Sequence, residues 1–283
     1  MTPMRIGSAL FDWGSRTYVM GILNVTPDSF SGDGLLDSGD PVARAVSLAR
    51  QMVIEGADLL DVGGESTRPG HADVSARDEA DRVVPVIAAI RATFPATPIS
   101  VDTTKADVAE AALDAGADLI NDVWGVGPDD ALARLGAARG VPLVIMHNRT
   151  EAVYADLMTE IVADLRAALD RAVRLGVDPE AIIVDPGFGF GKTAEHNLVV
   201  LRDLADLRIL GCPILLGASR KSTLGKVLDL PADQRVEATL ATTALGIAHG
   251  ADIVRVHDVE ANVRAARMAD AVVRGTWHAD RAG

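Results

Sequence analysis

The sequence is poor in the features that mark several large classes of protein. It has one cysteine, Cys212, so no intramolecular disulfide can form. Set between Gly211 and Pro213 at the head of an apolar run, that cysteine reads as buried filler. No apolar run reaches the ~18 residues of a membrane span. The N-terminal stretch, with Arg5 and Arg16, has no uninterrupted apolar segment of the kind a signal peptide needs. These absences predict a cytoplasmic protein with no membrane partner. Basic residues are also scarce, with 27 Lys and Arg against 40 Asp and Glu for a formal charge of -13. Such a chain repels polyanions, and no basic run segregates on it, which excludes nucleic acid as a general partner. Linkers and low-complexity stretches are missing too, which predicts one domain over residues 1–283.

Apolar residues make up 48% of the 283, enough for the chain to bury roughly 75% of its unfolded surface. A repeated unit organises them. The strings EGADLLDV, AGADLIND and HGADIVRV, at 55–62, 115–122 and 249–256, each pass from a glycine through Ala-Asp into an apolar run. Glycine suits the left-handed position that ends a helix. Gly140, Gly176 and Gly211 stand in the same place before VPLVIM, AIIVD and PILLG, and Phe94-Pro95 makes the break before PISVD. Seven helix-to-strand junctions, with a strand before the first and a helix after the last, give eight βα units. The predicted fold class is therefore α/β, a (β/α)8 TIM barrel over 18–275 with a frayed tail over 276–283. Its strands fall near 18–25, 59–62, 99–102, 119–122, 143–146, 182–185, 214–217 and 253–256, near-continuously apolar as parallel strands buried on both faces should be.

Amphipathic helices fill the intervals. Over 41–55, Asp40 is placed to cap the first turn, Pro41 suits the first position, and Val42, Val46, Ala49 and Val53 share a face. Ahead of the first strand, residues 1–17 read as a short β-hairpin that plugs the barrel's N-terminal end, with its turn at Asp12-Trp13-Gly14-Ser15.

Five short strings carry the chemistry: NVTPDSF (24–30), GGESTRPG (63–70), DPGFGFGK (185–192), GASRKS (217–222) and RVHDV (255–259). All follow strand-length apolar runs, and a parallel barrel collects such strand ends on one face. Asp102, Asn121 and Asp185 end the third, fourth and sixth strands. Each suits either a helix cap or one wall of a polar pocket, and the convergence of three favours the pocket. The basic residues among the motifs, Arg68, Lys221, Arg255 and also Arg220, are placed to hold a small anion in an acidic protein. Strands one and eight are neighbours in a closed barrel, which predicts that Asn24 and Arg255 approach each other. Arg255 and His257, two apart on one strand end, project the same way.

Together the five strings resemble dihydropteroate synthases, which join a pterin diphosphate to p-aminobenzoate. By that resemblance the pterin ring is held by Asp102, Asn121, Asp185 and Lys221. The diphosphate is held by Asn24, Ser66, Thr67, Arg68, Arg255 and His257, with a magnesium ion (Mg2+) on Asn24. The p-aminobenzoate pocket is made by Thr67, Arg68, Pro69, Phe190, Lys221 and Ser222. Asp28, Lys221, Arg255 and His257 are the catalytic set, and a homodimer is implied. One feature departs from the family, in which SDGG commonly follows NVTPDSF. Here Ser31-Gly32-Asp33-Gly34 shifts the loop aspartate by one position, leaving Asp28 in register.

Two other strings have plainer readings. GFGFGKT (187–193) resembles a nucleotide-binding loop, but that motif requires glycine where this chain has Pro186. Asn148-Arg149-Thr150 is formally a glycosylation acceptor, without meaning for a cytoplasmic protein. His147 ends strand five and suits either a pocket wall or a structural contact. Two rival functions share a pterin-binding barrel: a corrinoid methyltransferase using methyltetrahydrofolate, which needs no diphosphate site, and a non-catalytic pterin-binding paralogue.

Overall fold

The computed structural model describes residues 1–26, 40–65, 74–125 and 130–277. Two short strands, β1 (Met4–Ile6) and β2 (Ala9–Phe11), precede the alternating part of the chain. That part runs β3 (Tyr18–Asn24), α1 (Pro41–Glu55), β4 (Leu59–Gly63), α2 (Ala76–Thr93), β5 (Ile99–Asp102), α3 (Ala106–Asp114) and β6 (Leu119–Asp122). It continues α4 (Ala131–Arg139), β7 (Leu143–Met146), α5 (Leu157–Arg174), β8 (Ile182–Asp185), α6 (Ala194–Arg202) and β9 (Leu215–Leu216). The described part ends with α7 (Ser222–Leu228), α8 (Val236–Ala248), β10 (Ile253–Val256) and α9 (Val259–Val273).

Eight strands pair in parallel in the order β8-β7-β6-β5-β4-β3-β10-β9. A lone parallel bridge between Val184 and Ile214, with Val184 N donating to Pro213 O at 2.9 Å, joins β8 to the start of β9. The eighth pairing of the barrel is thus made by one bridge and not by a ladder. All six junction glycines, Gly56, Gly116, Gly140, Gly176, Gly211 and Gly250, have positive φ. The α1 terminus is built as its sequence implies. Asp40 Oδ1 accepts from Val42 N at 2.9 Å, Pro41 opens the helix, and Gly56 closes it at φ 102°.

The N-terminal plug is present, but its turn lies elsewhere than expected. β1 and β2 pair with Ile6 opposite Ala9, so the two-residue turn is Gly7-Ser8. Gly7 has φ +57°, and a Cβ there would lie 2.7 Å from the Asp118 carboxylate, so only glycine fits. Residues Asp12–Ser15 form a second turn, Ser15 N donating to Asp12 O at 3.2 Å, that aims the chain at β3. Met4, Ile6, Phe11 and Trp13 pack against Tyr18, Leu59, Leu119, Val144, Ile183, Leu215 and Ile253, the inward residues at the beginnings of the strands. Cys212 is half-buried rather than buried; it borders a cavity at this same end, and burial pushes its thiol pKa up.

Alternation along each strand sets the level of everything above the plug. Leu59, Leu119, Ile183 and Ile253 belong to the inner cluster with the plug, while Leu60, Ile120, Val184 and Val254 belong to the outer cluster under the helices. Two residues beyond the inner four come Asp61, Asn121, Asp185 and Arg255, so the lumen changes from apolar to polar within one repeat of the pleat.

One buried contact ties α9, the last described helix, to the residue that precedes β3. Asp270 on α9 accepts from Thr17 N at 2.7 Å and Thr17 Oγ1 at 2.8 Å, with both residues buried. Asp270→Ala strands those donors and is expected to cost about 2 to 4 kcal/mol. The measurement is the urea midpoint at unchanged slope; a wild-type midpoint would show that closure does not lean on this contact.

Candidate active site

The polar layer of the lumen is organised around Arg255 on β10. Its Nε donates to Asp61 Oδ2 on β4 and its Nη2 to Asp102 Oδ2 on β5, each at 2.6 Å. Asn121 on β6 donates from Nδ2 to the same Asp61 oxygen at 3.3 Å. Asp61 is fully buried, while Arg255 keeps 18% of its side chain exposed. A guanidinium therefore spans two carboxylates from different strands, a charge-assisted arrangement that fixes all three side chains.

The electrostatics follow from burial. Asp102 is pushed well above the usual carboxylate range, first by desolvation; the charge of Arg255 pulls it down and that of Asp61 pushes it up again. Asp185, at the end of β8, is raised to about 6, first by desolvation and against the hydrogen bond from Gly187 N at 2.6 Å. Burial alone would loosen the proton of Arg255, but the charges of Asp61 and Asp102 prevail and hold it more firmly than usual. The mouth of the barrel thus presents carboxyl groups that change charge near neutrality beside a permanent cation.

Lys221 reaches the same layer from just before α7. Its Nζ lies 3.9 Å from the centroid of the Phe190 ring, and its charge acts on both Asp102 and Asp185. Arg220 before it has φ +55°, a strained conformation for a residue with a side chain, and pairs with Asp258 through Nε at 3.0 Å and Nη2 at 2.5 Å. Arg220 is thus engaged by Asp258 beside the Lys221 turn. Ser222 follows as the first residue of α7 and is exposed. His257 sits just past β10, with Nδ1 3.0 Å from Ser219 Oγ and its backbone N donating to the same hydroxyl at 3.2 Å.

Asn24 and Arg255 lie on neighbouring strands, yet not side by side. The register sets Arg255 opposite Met20 and Val256 opposite Gly21. Asn24, opposite Gly63 on β4, is four residues beyond Met20, about 13 Å along the strand at ~3.3 Å per residue, and Gly63 is in turn opposite Asp102. The Arg255 side chain therefore leaves its strand at the level of Met20 and reaches Asp102, which shares the row of Asn24, and both Arg255 and Asn24 are half-buried.

The β8 loop owes its glycines to backbone geometry. Gly187 has φ +69°, and a Cβ there would fall 1.8 Å from His147 O; Gly189 and Gly191 are also left-handed. His147 itself is buried, with Nε2 3.1 Å from Asp164 Oδ2 and Nδ1 2.9 Å from Lys192 Nζ. Both ring nitrogens thus meet protein groups, the contact that the structural reading requires.

The structure thus gathers Asp102, Asn121, Asp185, Lys221, Phe190 and Arg255 around one space, with His257 beside it. Asp28, Ser66, Thr67, Arg68, Pro69 and the shifted Asp33 lie outside the described residues. Sequence reading overlooked Asp61, Ser219 and Lys192. It also overlooked Lys105, whose Nζ donates to Glu65 and the fully buried Glu79, each at 2.6 Å. Glu65 in turn accepts from Val74 N at 2.7 Å, joining the residues that flank 66–73.

Comparison with known proteins identifies the family. The family described as pterin binding enzyme matches residues 20–257. The chain is 52% identical over 272 residues to a dihydropteroate synthase of Clostridium beijerinckii, covering 96% of this chain and 100% of that one. A crystal structure of dihydropteroate synthase from Clostridium difficile in the presence of pteroic acid superposes with a TM-score of 0.89 at 50% identity, over 93% of this chain and 99% of that one. A Xanthomonas albilineans dihydropteroate synthase with 4-aminobenzoic acid gives a TM-score of 0.87 at 42% identity, over 93% and 94%.

Proposed function

The chain belongs to the dihydropteroate synthase family of pterin-binding enzymes, and on that premise we propose that it condenses a hydroxymethyldihydropterin diphosphate with p-aminobenzoate, releasing diphosphate and dihydropteroate. The observation that carries the reading is the lumen layer of Asp102, Asn121 and Asp185 with Lys221 and Arg255. An aminopyrimidinone edge offers N–H donors to carboxylates and acceptors to an amide or ammonium, and this layer supplies those partners in a water-poor site.

Asp102 and Asp185 accept from the ring, Asn121 orients it, and Lys221 closes over it from the Phe190 side. p-Aminobenzoate lies toward Phe190, Lys221 and Ser222, with Thr67, Arg68 and Pro69. The diphosphate faces Arg255, His257, Asn24, Ser66, Thr67 and Arg68. An arylamine is a weak nucleophile, whereas the electron-rich pterin stabilises positive charge at its exocyclic methylene. The carbon–oxygen bond to diphosphate therefore breaks early, and the amine captures the cation. Cationic side chains aimed at the leaving group stabilise charge as it develops, and no covalent enzyme intermediate is needed.

Among the described residues, no cluster of three His, Cys, Asp or Glu side chains is placed to hold a metal ion. Asn24 offers a single hard oxygen. That donor fits magnesium, which keeps substrate phosphate and water in its shell and needs few protein ligands. Asn24 would hold it, and when bound it would neutralise charge on the leaving diphosphate. Two further features are carried from the family. A homodimer is supported by the exposed Met268 and Val272, one turn apart on α9, and by Leu245 on the adjoining α8. A cytoplasmic location is in keeping with the single cysteine, and among the described residues no helix is long and apolar enough to cross a membrane.

The test is diphosphate release by purified protein, with p-aminobenzoate and magnesium each withheld in turn. Release that needs the pterin diphosphate and p-aminobenzoate, with dihydropteroate formed in equal amount, is the expected result. Methyl transfer to a corrinoid protein, or pterin binding without turnover, would replace the proposal with one of the two rivals.

A further inference from the structure

Lys192 lies just beyond the residues assigned above, and its surroundings are unusually complete. An ammonium has three N–H donors and no acceptor. Here Nζ has three acceptors: His147 Nδ1 at 2.9 Å, Gly187 O at 3.1 Å and Phe190 O at 3.1 Å. Two of these are carbonyls of the loop between β8 and α6, and the third belongs to a buried ring at the end of β7. Because the ammonium can only donate, His147 Nδ1 accepts and its proton resides on Nε2, which donates to Asp164 Oδ2 at 3.1 Å. Asp164 is held in turn by Arg149 Nη2 at 2.7 Å, and Tyr154 Oη donates to Gly191 O at 2.8 Å. Burial, followed by the charge of Lys192, lowers the pKa of His147 and keeps the ring neutral.

We propose that Lys192 is a positioning residue for the second substrate: its ammonium bolts the loop carrying Phe190 to His147, and so sets the aromatic wall against which the p-aminobenzoate ring lies. The Phe190 ring faces Lys221 Nζ, so the bolt also fixes the distance between the two groups that flank that ring. This inference rests on the proposed activity. It assigns Lys192 no contact with either substrate.

Asp185 has a hold that does not pass through the Lys192 ammonium, since its Oδ1 accepts the Gly187 N–H at 2.6 Å. Losing the bolt should therefore damage the p-aminobenzoate side more than the pterin side. Burial, with help from Arg149 and Lys221, brings the Lys192 ammonium down to about 7 against the pull of Asp185 and Asp164. The groups that face it are Asp185 from β8, His147 and Arg149 from beyond β7, Asp164 from α5 and Lys221 from before α7. Above that pH the amine keeps only two donors for three acceptors, and the loop loosens.

The experiment is steady-state dihydropteroate formation with both KM values measured between about pH 6 and 9. In the wild type, KM for p-aminobenzoate should rise above neutrality while KM for the pterin diphosphate follows a different course. Lys192→Met should raise KM for p-aminobenzoate at least ~10-fold, with KM for the pterin diphosphate within about twofold, and should abolish the rise with pH. Equal increases in both KM values, or no change in either, would overturn the proposal. Should Lys192→Met fail to accumulate as folded protein, His147→Leu removes one acceptor and should raise KM for p-aminobenzoate about threefold. A wild-type KM for p-aminobenzoate that is flat over the range also overturns it. A wild type that makes no dihydropteroate refutes the proposed function itself, an outcome distinct from these.

Discussion

Replacing Arg255 by alanine is expected to lower turnover at least ~1,000-fold and, in the same variant, to weaken binding of a bare pterin at least ~30-fold. The first effect follows from the loss of a cation that faces the leaving group. The second follows from what Arg255 touches in the free protein. Without the guanidinium, Asp61 and Asp102 are left as neighbouring buried carboxyls with no counter-charge between them. Removing one member of a buried pair costs about 3 to 5 kcal/mol. Asp102, already pushed up by burial and by Asp61, relieves the strain by keeping its proton. A protonated carboxyl is a poorer acceptor for the ring N–H, so ring affinity falls although Arg255 itself was assigned to the diphosphate. Arg255→Lys should recover little, because one ammonium cannot span both carboxylates. Calorimetry with a pterin lacking diphosphate measures the second effect, and circular dichroism checks the fold. Unaltered pterin affinity in Arg255→Ala would place this residue wholly on the leaving-group side.

Asp185→Asn should weaken pterin binding by about 10- to 100-fold, the worth of a charge-assisted hydrogen bond to the ring. The substitution keeps an oxygen for Gly187 N, so the loop turn survives and the loss is chemical. Its pH dependence has a definite sign. Burial raises the Asp185 carboxyl to about 6, so it is protonated below that value in the empty site and ionised above it. Asp102 is raised as well. Pterin affinity in the wild type should therefore climb as pH rises through 6, and Asp185→Asn should climb less. For stability the direction reverses. A carboxyl whose folded pKa lies above its unfolded value binds more protons when folded between the two, so it favours the folded state at low pH, and that contribution fades as pH rises through about 6. Equal affinity at pH 5 and pH 8 in the wild type, with no loss in the variant, would remove Asp185 from the ring site.

The barrel was legible because its punctuation is local. Gly56, Gly116, Gly140, Gly176, Gly211 and Gly250 each take a left-handed conformation that other residues resist, and that requirement survives without knowledge of neighbours. Asp102, Asn121 and Asp185 were legible because they end apolar runs. Asp61 was missed because it sits inside one, in LLDV. Alternation was the available signal: two residues beyond inward Leu59, a carboxylate on β4 must point into the lumen. The register of Arg255 against Asn24 was not legible. Strand neighbours follow from the barrel's closure, but the level at which side chains meet follows from register, which opposes Arg255 to Met20. The plug's turn was misplaced for a similar reason. Asp-Trp-Gly-Ser has turn chemistry, and so does Gly7-Ser8; the pairing of Ile6 with Ala9 decides between them. Lys192 lay hidden in a string whose glycines drew attention to phosphate binding.

The contact between Thr17 and Asp270 spans 253 positions of the chain, and it bears on how the molecule emerges from the ribosome. β3 pairs with β4 on one side and with β10, the last barrel strand, on the other. At 5–20 residues per second, roughly 13 to 50 s pass between synthesis of the two ends of that contact. Throughout that interval one edge of β3 has no partner, and nascent chains with open strand edges are prone to aggregate. The N-terminal plug is made first and can cover only the floor of a barrel whose last wall has not yet been synthesised. Yield in the cell should therefore depend on the pace of translation and on chaperone supply more than the stability of the finished barrel would suggest.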